Sequence, residues 1–460
     1  MTPKWNKKDL SLVLNQEINF EANDIQFNSK EVKAGDLFIA LKGNTDGHNY
    51  IKDALNNGAN FAVATYKPDG LSGSDLEKII LVDDTYQTLL DLANFRRKQS
   101  TATFIAITGS CGKTSTKHHL ANILSNFGNT FASKASFNNH LGVPLTIASI
   151  PPDCKYVVTE VGTNNAGEIK PLAQLIKPDI AIITGVLPSH IGNFGSLKEI
   201  AHEKGQIFQG LINQSSTAII NKGDNAEIFQ ILKQSAALSG IKNIITFGDE
   251  LSSDCALLDY QLINNNSARL KFKIGGMMHE CQTHLIGKHN AINLLSIVLV
   301  SCCLDLNLEK VMSLIEKCEP IDGRGKVLPI NKFDTHFELI DDSYNANPGS
   351  VKAALENLAS LDSNQKVAIL SDMRELGGDE IKYHLDIEPY LKTAGVYKFV
   401  AVGELMKHLY DKVDGVEKYY FADFQALIDQ ISSIIKNKDL ILFKGSNGTK
   451  LHKVVEYLKN

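Results

Sequence analysis

The sequence lacks several things at once. It has no long uninterrupted apolar run, and the opening MTPKWNKKDLSLVLNQEINF has no continuous hydrophobic stretch of the kind a secretory leader carries. The expected address is therefore the cytoplasm, without stable membrane insertion. No block of like charges occurs, and 47 basic against 52 acidic residues leave a net charge of −5, which gives no electrostatic footprint for nucleic acid. Nucleic acid is not an expected partner. The seven cysteines, Cys111, Cys154, Cys255, Cys281, Cys302, Cys303 and Cys318, form no CxxC pair and no metal-finger spacing. An odd, scattered set reads as reduced thiols. There is no internal repeat and no low-complexity tract. What remains is 460 residues of ordinary globular composition, enough for two to four domains.

The richest segment is Phe104–Thr116, FIAITGSCGKTST, where an apolar strand runs through Thr108, Gly109, Ser110, Cys111 and Gly112 into Lys113, Thr114 and Ser115 at a helix start. Glycines let backbone N–H groups turn toward an anion, and the helix N-terminus adds its positive dipole end. Lysine can reach outer phosphates, and the threonine hydroxyl can hold Mg²⁺. The common GxxxxGK[ST] pattern wants glycine where Ile107 stands, so the match is to the shorter TGxxGKT form. A nucleoside triphosphate is the expected ligand; a glycine turn without phosphate is the plainer alternative.

Short apolar strands then alternate with helical stretches. The first part carries strand candidates at Asp36–Leu41, Phe61–Thr65 and Ile79–Asp84 around a helix at Tyr50–Asn57. After the helical TYQTLLDLANFRRK come strands at Tyr156–Glu160, Ile180–Thr184 and Thr217–Ile220. A second alternating block follows Asp322-Gly323-Arg324-Gly325, with strands at Phe337–Asp341, Val367–Leu370, Phe399–Val402 and Leu440–Lys444. Such alternation predicts α/β domains with mostly parallel sheets and crossover helices. Three domains are expected, at 1–84, 85–322 and 323–460.

In an open parallel sheet ligands sit beyond the carboxyl ends of the strands. Glu160 ends one strand and is a natural hard-oxygen ligand for Mg²⁺. Thr184 ends another, and His190 follows it in a loop where a solvated histidine is the commoner reading. Lys204 lies on a predicted helix and taken alone would be a surface lysine. His289, Asn290 and Asn293 open an apolar helix, where they could read an adenine edge or simply cap the helix. The glycines of GDLFIALKGNTDGHNYI either shape loops around a ligand or make ordinary turns.

These segments together resemble the Mur ligases, the ATP-dependent amide-forming family of peptidoglycan precursor synthesis. TGSCGKT matches the family's phosphate loop, TEVGTNNAGEI its strand-end glutamate segment, LPSHIGNFGS its histidine loop and GKHNAIN its adenine-side segment. The Gly323–Gly325 turn, IDDSYNANPGS and FKGSNGTK complete the order. The resemblance spans nearly the whole chain. It implies three domains: a small α/β domain for the UDP-sugar end of the acceptor, a central P-loop-type sheet with helices on both faces, and a C-terminal Rossmann-like domain that closes over ATP and the incoming amine. DDSYNANP is similar to the branch that adds a D-alanyl-D-alanine dipeptide, and the DNPR motif typical of the diamino-acid-adding branch is absent. The UDP-sugar domain argues against folylpolyglutamate synthetase.

The resemblance implies an ADP-forming reaction through an acyl phosphate, joining D-alanyl-D-alanine to UDP-N-acetylmuramoyl-tripeptide to give the pentapeptide precursor. Lys113, Lys204 and His190 would be catalytic. Thr114 and Glu160 would hold one Mg²⁺ and His190 a second, and Lys204 would match the family's carbamylated lysine. Asn290 and Asn293 would face adenine, Asp342 the ribose and Arg324 the phosphates. Ser29, Lys42, Gly43, Asp46, Gly47, His48, Asn138 and Asn139 would serve the acceptor, and Asn345 and Asn347 the dipeptide. A monomer is expected. The sequence departs from the family at Asn28-Ser29-Lys30, where Asp-Ser-Arg is usual, and at Ser136, Gly185 and Asn447, where asparagine, asparagine and arginine are common. The alternatives are a neighbouring Mur ligase that adds a single amino acid, an idle binding protein that keeps the fold, and a P-loop kinase or GTPase. For a GTPase the Asn221–Asp224 NKGD would have to read guanine, yet it sits among no switch-like segments.

Overall fold

Short apolar runs between turn residues build three sheets. The computed structural model describes residues 4–460 apart from positions 44, 135, 214 and 224, so Asp224 of the NKGD segment lies outside the described residues. The first sheet is parallel, in the order β1 (Ile25–Gln26), β2 (Leu37–Ile39), β3 (Phe61–Ala64) and β4 (Ile79–Leu81). Its strands are buried on both faces over most of their length, as is usual for parallel strands, with Leu81 of β4 left exposed. Phe38, Ala40, Ala62 and Ala64 pack on the helix Ile51–Asn56, while Leu37, Ile39 and Val63 join a cluster that runs into the next sheet.

The central sheet contains β5 (Thr103–Thr108), β6 (Thr130–Ala132), β7 (Tyr156–Glu160), β8 (Ile180–Ile183), β9 (Thr217–Asn221), β10 (Asn243–Gly248), β11 (Cys255–Asn264), β12 (Ser267–Ile274) and β13 (Met277–Thr283). Its order is β13-β12-β11-β10-β9-β8-β5-β7-β6. Period-two alternation sends Phe104 and Ala106 of β5 into one core and Ile105 and Ile107 into the other. Helices Thr85–Gln99 and Ile169–Ile176 cover the first face. Helices Lys113–Leu124 and Lys288–Cys303 cover the second. The expectation of a mostly parallel sheet holds from β6 to β11, but β12 and β13 are antiparallel.

The third sheet contains β14 (Lys326–Lys332), β15 (Thr335–Asp342), β16 (Lys366–Ser371), β17 (Val396–Val402), β18 (Glu417–Phe421) and β19 (Leu440–Lys444), in the order β14-β15-β19-β16-β17-β18. Only the edge strand β14 is antiparallel. Val367 and Ile369 face one core, Ala368 and Leu370 the other, so helices cover both sides here too. The carboxyl ends of β5, β7, β8, β15 and β19 lead into loops that meet around one cavity. No described helix is long and apolar enough to cross a membrane.

Candidate active site

That cavity measures about 720 Å³ and takes its walls from the second and third sheets. Its floor is the turn between β5 and the helix Lys113–Leu124. Gly112 has φ +82°, and a Cβ there would come within 2.6 Å of Asn293 Nδ2; a Cβ at Gly109 would come within 2.0 Å of Thr184 Oγ1. Both positions need glycine, for backbone conformation and for close approach. No described side chain caps the helix, whose first-turn residues Lys113, Thr114 and Ser115 line the cavity, and an uncapped helix N-terminus of this kind suits an anion.

The loop is held from behind. Ser110 N–H donates to Gly185 O at 2.9 Å, Ser110 Oγ to Leu187 O at 2.8 Å, and Leu187 N–H returns a bond to Ser110 Oγ at 2.9 Å. The Ser110 hydroxyl therefore fixes the loop. Thr108 is fully buried beneath it. Lys113 Nζ folds back on Gly109 O at 2.6 Å, and burial holds this ammonium below the usual lysine range. Asn221 Nδ2 donates to Thr184 O at 2.8 Å and Asn221 Oδ1 accepts from Gly223 N–H, so the asparagine of NKGD braces a strand end.

Glu160, at the end of β7, is 1% exposed. Its Oε1 accepts from Asn138 Nδ2 at 2.7 Å, and its Oε2 lies 3.5 Å from Lys117 Nζ in an ion pair and has no hydrogen-bond partner among the described residues. Thr114, Glu160, Asn138 and His190 all line the cavity. His190 pairs through Nδ1 with Glu375 Oε2 of the third unit. Burial lowers its pKa, opposed by Glu375 and reinforced by Lys113 and Lys204. Asn290 and Asn293 also reach the cavity, and neither caps its helix: the N-cap position is Gly287, without a side-chain cap, and Asn290 Nδ2 donates back to Ile286 O. His289 lines the same wall.

The third unit closes the cavity through direct contacts. Arg324 Nη2 donates to Thr114 Oγ1 at 3.0 Å, and its guanidinium lies 4.2 Å from the Tyr344 ring centre. Tyr344 Oη meets Ser136 Oγ at 2.6 Å, which gives the departure at Ser136 a structural use. Asn347 Nδ2 donates to Cys111 Sγ at 3.1 Å, while its Oδ1 caps the helix Pro348–Ser360. Asp342 accepts from Lys444 Nζ at 2.7 Å, and Asn345 contributes its backbone oxygen to the same lysine.

Lys204 stands beside the cavity rather than in its lining. It is 3% exposed, and no described residue forms a hydrogen bond or ion pair with its Nζ. Burial, with the Lys113 charge adding to it, pushes its pKa down to about 7. Its neighbour Glu203 is used elsewhere, accepting from Gly167 and Ile169 N–H at 2.8 Å each.

The remaining expected acceptor residues do not join this cavity. Lys42, Gly43, Asp46, Gly47 and His48 form a turn beyond β2. There Asp46 Oδ1 accepts from His48 Nδ1 at 2.6 Å, and Thr65 N–H donates to His48 Nε2 at 3.0 Å. His48 is 1% exposed and stacks on Tyr66, so this histidine braces the turn. Ser29 is buried and its carbonyl accepts from Asn57, while Asn28 caps the short helix Ser29–Glu31. Asn139 Oδ1 accepts from Leu141 and Gly142 N–H, and Asn139 lines a second cavity of about 480 Å³ beside helix Thr85–Gln99.

Sequence reasoning missed Lys117, Tyr344, Arg374 and Glu375. Lys117 was findable, since it lies four residues after Lys113 on one helix and so on the same face. The other three become visible only when the third unit is seen against the second.

A model of the Mur ligase middle domain matches residues 107–301, and one described as Mur ligase, glutamate ligase domain matches residues 324–447. The chain belongs to the Mur ligase family. It is 38% identical to the UDP-N-acetylmuramoyl-tripeptide--D-alanyl-D-alanine ligase of Rickettsia prowazekii over 458 residues, covering 98% of this chain and 99% of that protein. The Escherichia coli protein of the same name is 31% identical, covering 98% and 97%. A crystal structure of MurF from Acinetobacter baumannii superposes with a TM-score of 0.85 at 26% identity, over 99% of this chain and 98% of that one.

Proposed function

We propose that this protein is an ATP-dependent, ADP-forming ligase that joins D-alanyl-D-alanine to UDP-N-acetylmuramoyl-tripeptide in peptidoglycan synthesis. The observation that carries the reading is the single cavity in which the phosphate loop of the second unit faces Arg324, Asp342, Asn345 and Asn347 of the third. A carboxylate is a poor electrophile. It gains a leaving group by attacking the γ-phosphorus of ATP, releasing ADP and forming an acyl phosphate. The dipeptide amine then attacks the acyl carbon, phosphate leaves, and the amine proton is lost to solvent or base.

The chain's residues fit these steps. The uncapped N–H groups and Lys113 neutralise the phosphate chain, and Arg324 adds charge from the opposite wall. Asn290 and Asn293 bind adenine and Asp342 the ribose. The contacts between units exclude water, which would otherwise hydrolyse the acyl phosphate. The turn at Lys42–His48 with Ser29, and Asn138 with Asn139, bind the acceptor. The proposed state and address are a monomer in the cytoplasm.

Magnesium fits this site. Glu160 offers a buried carboxylate oxygen without a hydrogen bond among the described residues, and the Thr114 hydroxyl lines the same cavity. Among the described residues no group of three His, Cys, Asp or Glu forms a metal cage. Thr114 and Glu160 would therefore share the ion with phosphate oxygens, as Mg²⁺ prefers, and His190 would serve a second ion. When bound, the metal supplies charge neutralisation on the transferring phosphoryl group. Lys204, with its depressed pKa, has the neutral amine needed to attack CO₂; an N–C bond forms, a proton leaves and a carboxylate results.

Phosphate release from ATP with UDP-N-acetylmuramoyl-tripeptide, with and without D-alanyl-D-alanine, tests the reading. Release that needs both is expected. Release driven by a single amino acid and a shorter acceptor would move the chain to a neighbouring Mur ligase, and no release with any acceptor would make it a binding protein.

A further inference from the structure

The main cavity is lined by four lysine and arginine side chains, and three of them are engaged. Lys113 Nζ is held by Gly109 O at 2.6 Å, Arg324 Nη2 by Thr114 Oγ1 at 3.0 Å, and Lys444 Nζ by Asp342 Oδ2 at 2.7 Å and Asn345 O at 3.1 Å. The fourth, Arg374, differs. Among the described residues no hydrogen bond, ion pair or ring contact engages its guanidinium. Its neighbour Glu375 forms no ion pair with it, and that carboxylate turns to His190 instead.

Arg374 is free at its tip but fixed at its base. Its N–H donates to Ser446 Oγ at 3.0 Å, and the preceding Met373 N–H donates to His384 Nε2 at 2.9 Å. The guanidinium lies along the turn after β19, where a Cβ at Gly448 would come within 2.8 Å of Nη1. That turn, Ser446, Asn447 and Gly448, lines the cavity and carries no charge of its own.

We propose that Arg374 binds the terminal carboxylate of the incoming dipeptide. This rests on the ligase reading above. The dipeptide must bring its amine to the acyl phosphate while its own carboxylate leaves water as the cavity closes, and a carboxylate moved from water without a cation is strongly penalised. It must also be kept from the phosphate loop, where it would compete with the acceptor carboxylate for the γ-phosphate. A planar guanidinium offers paired donors matched to a carboxylate, and one held at the third unit's edge of the cavity keeps that end of the dipeptide away from the reacting phosphorus.

The test is steady-state phosphate release by the full-length protein and its Arg374→Gln and Arg374→Lys variants, titrating each substrate in turn. Arg374→Gln should raise the KM for D-alanyl-D-alanine by about tenfold to a hundredfold, the range for losing a charged hydrogen-bond pair, with the KM for ATP and for the acceptor unchanged. Arg374→Lys should recover part of this. D-Alanyl-D-alaninamide, which lacks the carboxylate, should be used equally poorly by the unsubstituted protein and by Arg374→Gln. An unchanged dipeptide KM, a shift in the acceptor KM instead, or an amide that is still further weakened by Arg374→Gln would each overturn the assignment. If the unsubstituted protein released no phosphate with the dipeptide but did so with a single amino acid, the ligase reading itself would fail and take this inference with it.

Discussion

Arg324 of the third unit donates to Thr114 Oγ1 of the phosphate loop at 3.0 Å, so the two units already touch at the hydroxyl assigned to magnesium. One side chain thus bridges the third unit to the phosphate loop. Replacing Arg324 with alanine should lower kcat by about a hundredfold to a thousandfold, the range for one preorganised charge at a developing anion. Lysine should recover little, because it lacks the planar fork that can bond Thr114 and a phosphate oxygen together. Steady-state phosphate release decides it, and a kcat unchanged in Arg324→Ala would refute the role.

Lys204 should carry a carbamate. Burial lowers its pKa to about 7, so much of the amine is neutral near neutral pH, whereas an ordinary lysine is almost wholly protonated. Protein equilibrated with ¹³C-labelled bicarbonate should show one carbamate carbon resonance that Lys204→Arg removes, together with most of the activity. A labelled protein without that resonance, yet fully active, would leave Lys204 as a plain buried amine.

Some of this site was legible in the chain and some was not, and the division follows physics. The strands Tyr156–Glu160 and Leu440–Lys444 match their apolar runs because both are buried on all sides, where pattern and structure coincide. Lys113, Thr114 and Glu160 were legible because their spacing to a strand end is local. The strands β11 to β13 were missed, since they are only partly buried: β12 alternates buried with half-buried residues, β13 is a largely exposed edge, and β11 is buried only over its first three residues, so none presents a long continuous apolar run. Their turns, around Asn265 and at Gly275-Gly276, were the available signal. Contacts such as His190 with Glu375 and Ser136 with Tyr344 join residues about two hundred positions apart. No local pattern encodes them.

The third unit also has an anchor far from the cavity. Lys398 and Asp439 are both fully buried, with Nζ 3.2 Å from Oδ2, and Tyr397 Oη donates to Asp439 Oδ1 at 2.6 Å. They lie toward the amino ends of β17 and β19, whereas the cavity lies at the carboxyl ends. Asp439→Asn strands a buried ammonium and should destabilise this unit by about 3–5 kcal/mol, while Lys398→Met with Asp439→Leu should recover most of the loss. Urea denaturation followed by far-UV circular dichroism measures both. The KM for ATP of folded Asp439→Asn should stay unchanged, and a large rise would show that the two ends of the sheet are coupled.

His119 gives the phosphate-loop helix a pH dependence of known sign. It is 3% exposed, and burial, with His118 adding to it, pushes its pKa from 6.5 to about 4. A folded pKa below the unfolded one means that the unfolded chain binds the proton more readily. The stability is therefore complete above the unfolded value and is lost as pH falls through 6.5 toward about 4. The loss from this one group should be about 2 kcal/mol between about pH 7 and about pH 5, and about 3 kcal/mol once both states are protonated. Trp5, the single tryptophan, packs into the cluster shared by the first and central units and donates Nε1–H to Ala148 O at 2.9 Å, so its fluorescence reports their unfolding in urea. His119→Phe keeps an aromatic ring of similar size without a titrating nitrogen, and its urea midpoint should fall less steeply over the same interval. Parallel slopes in the two proteins would assign the acid sensitivity to other groups.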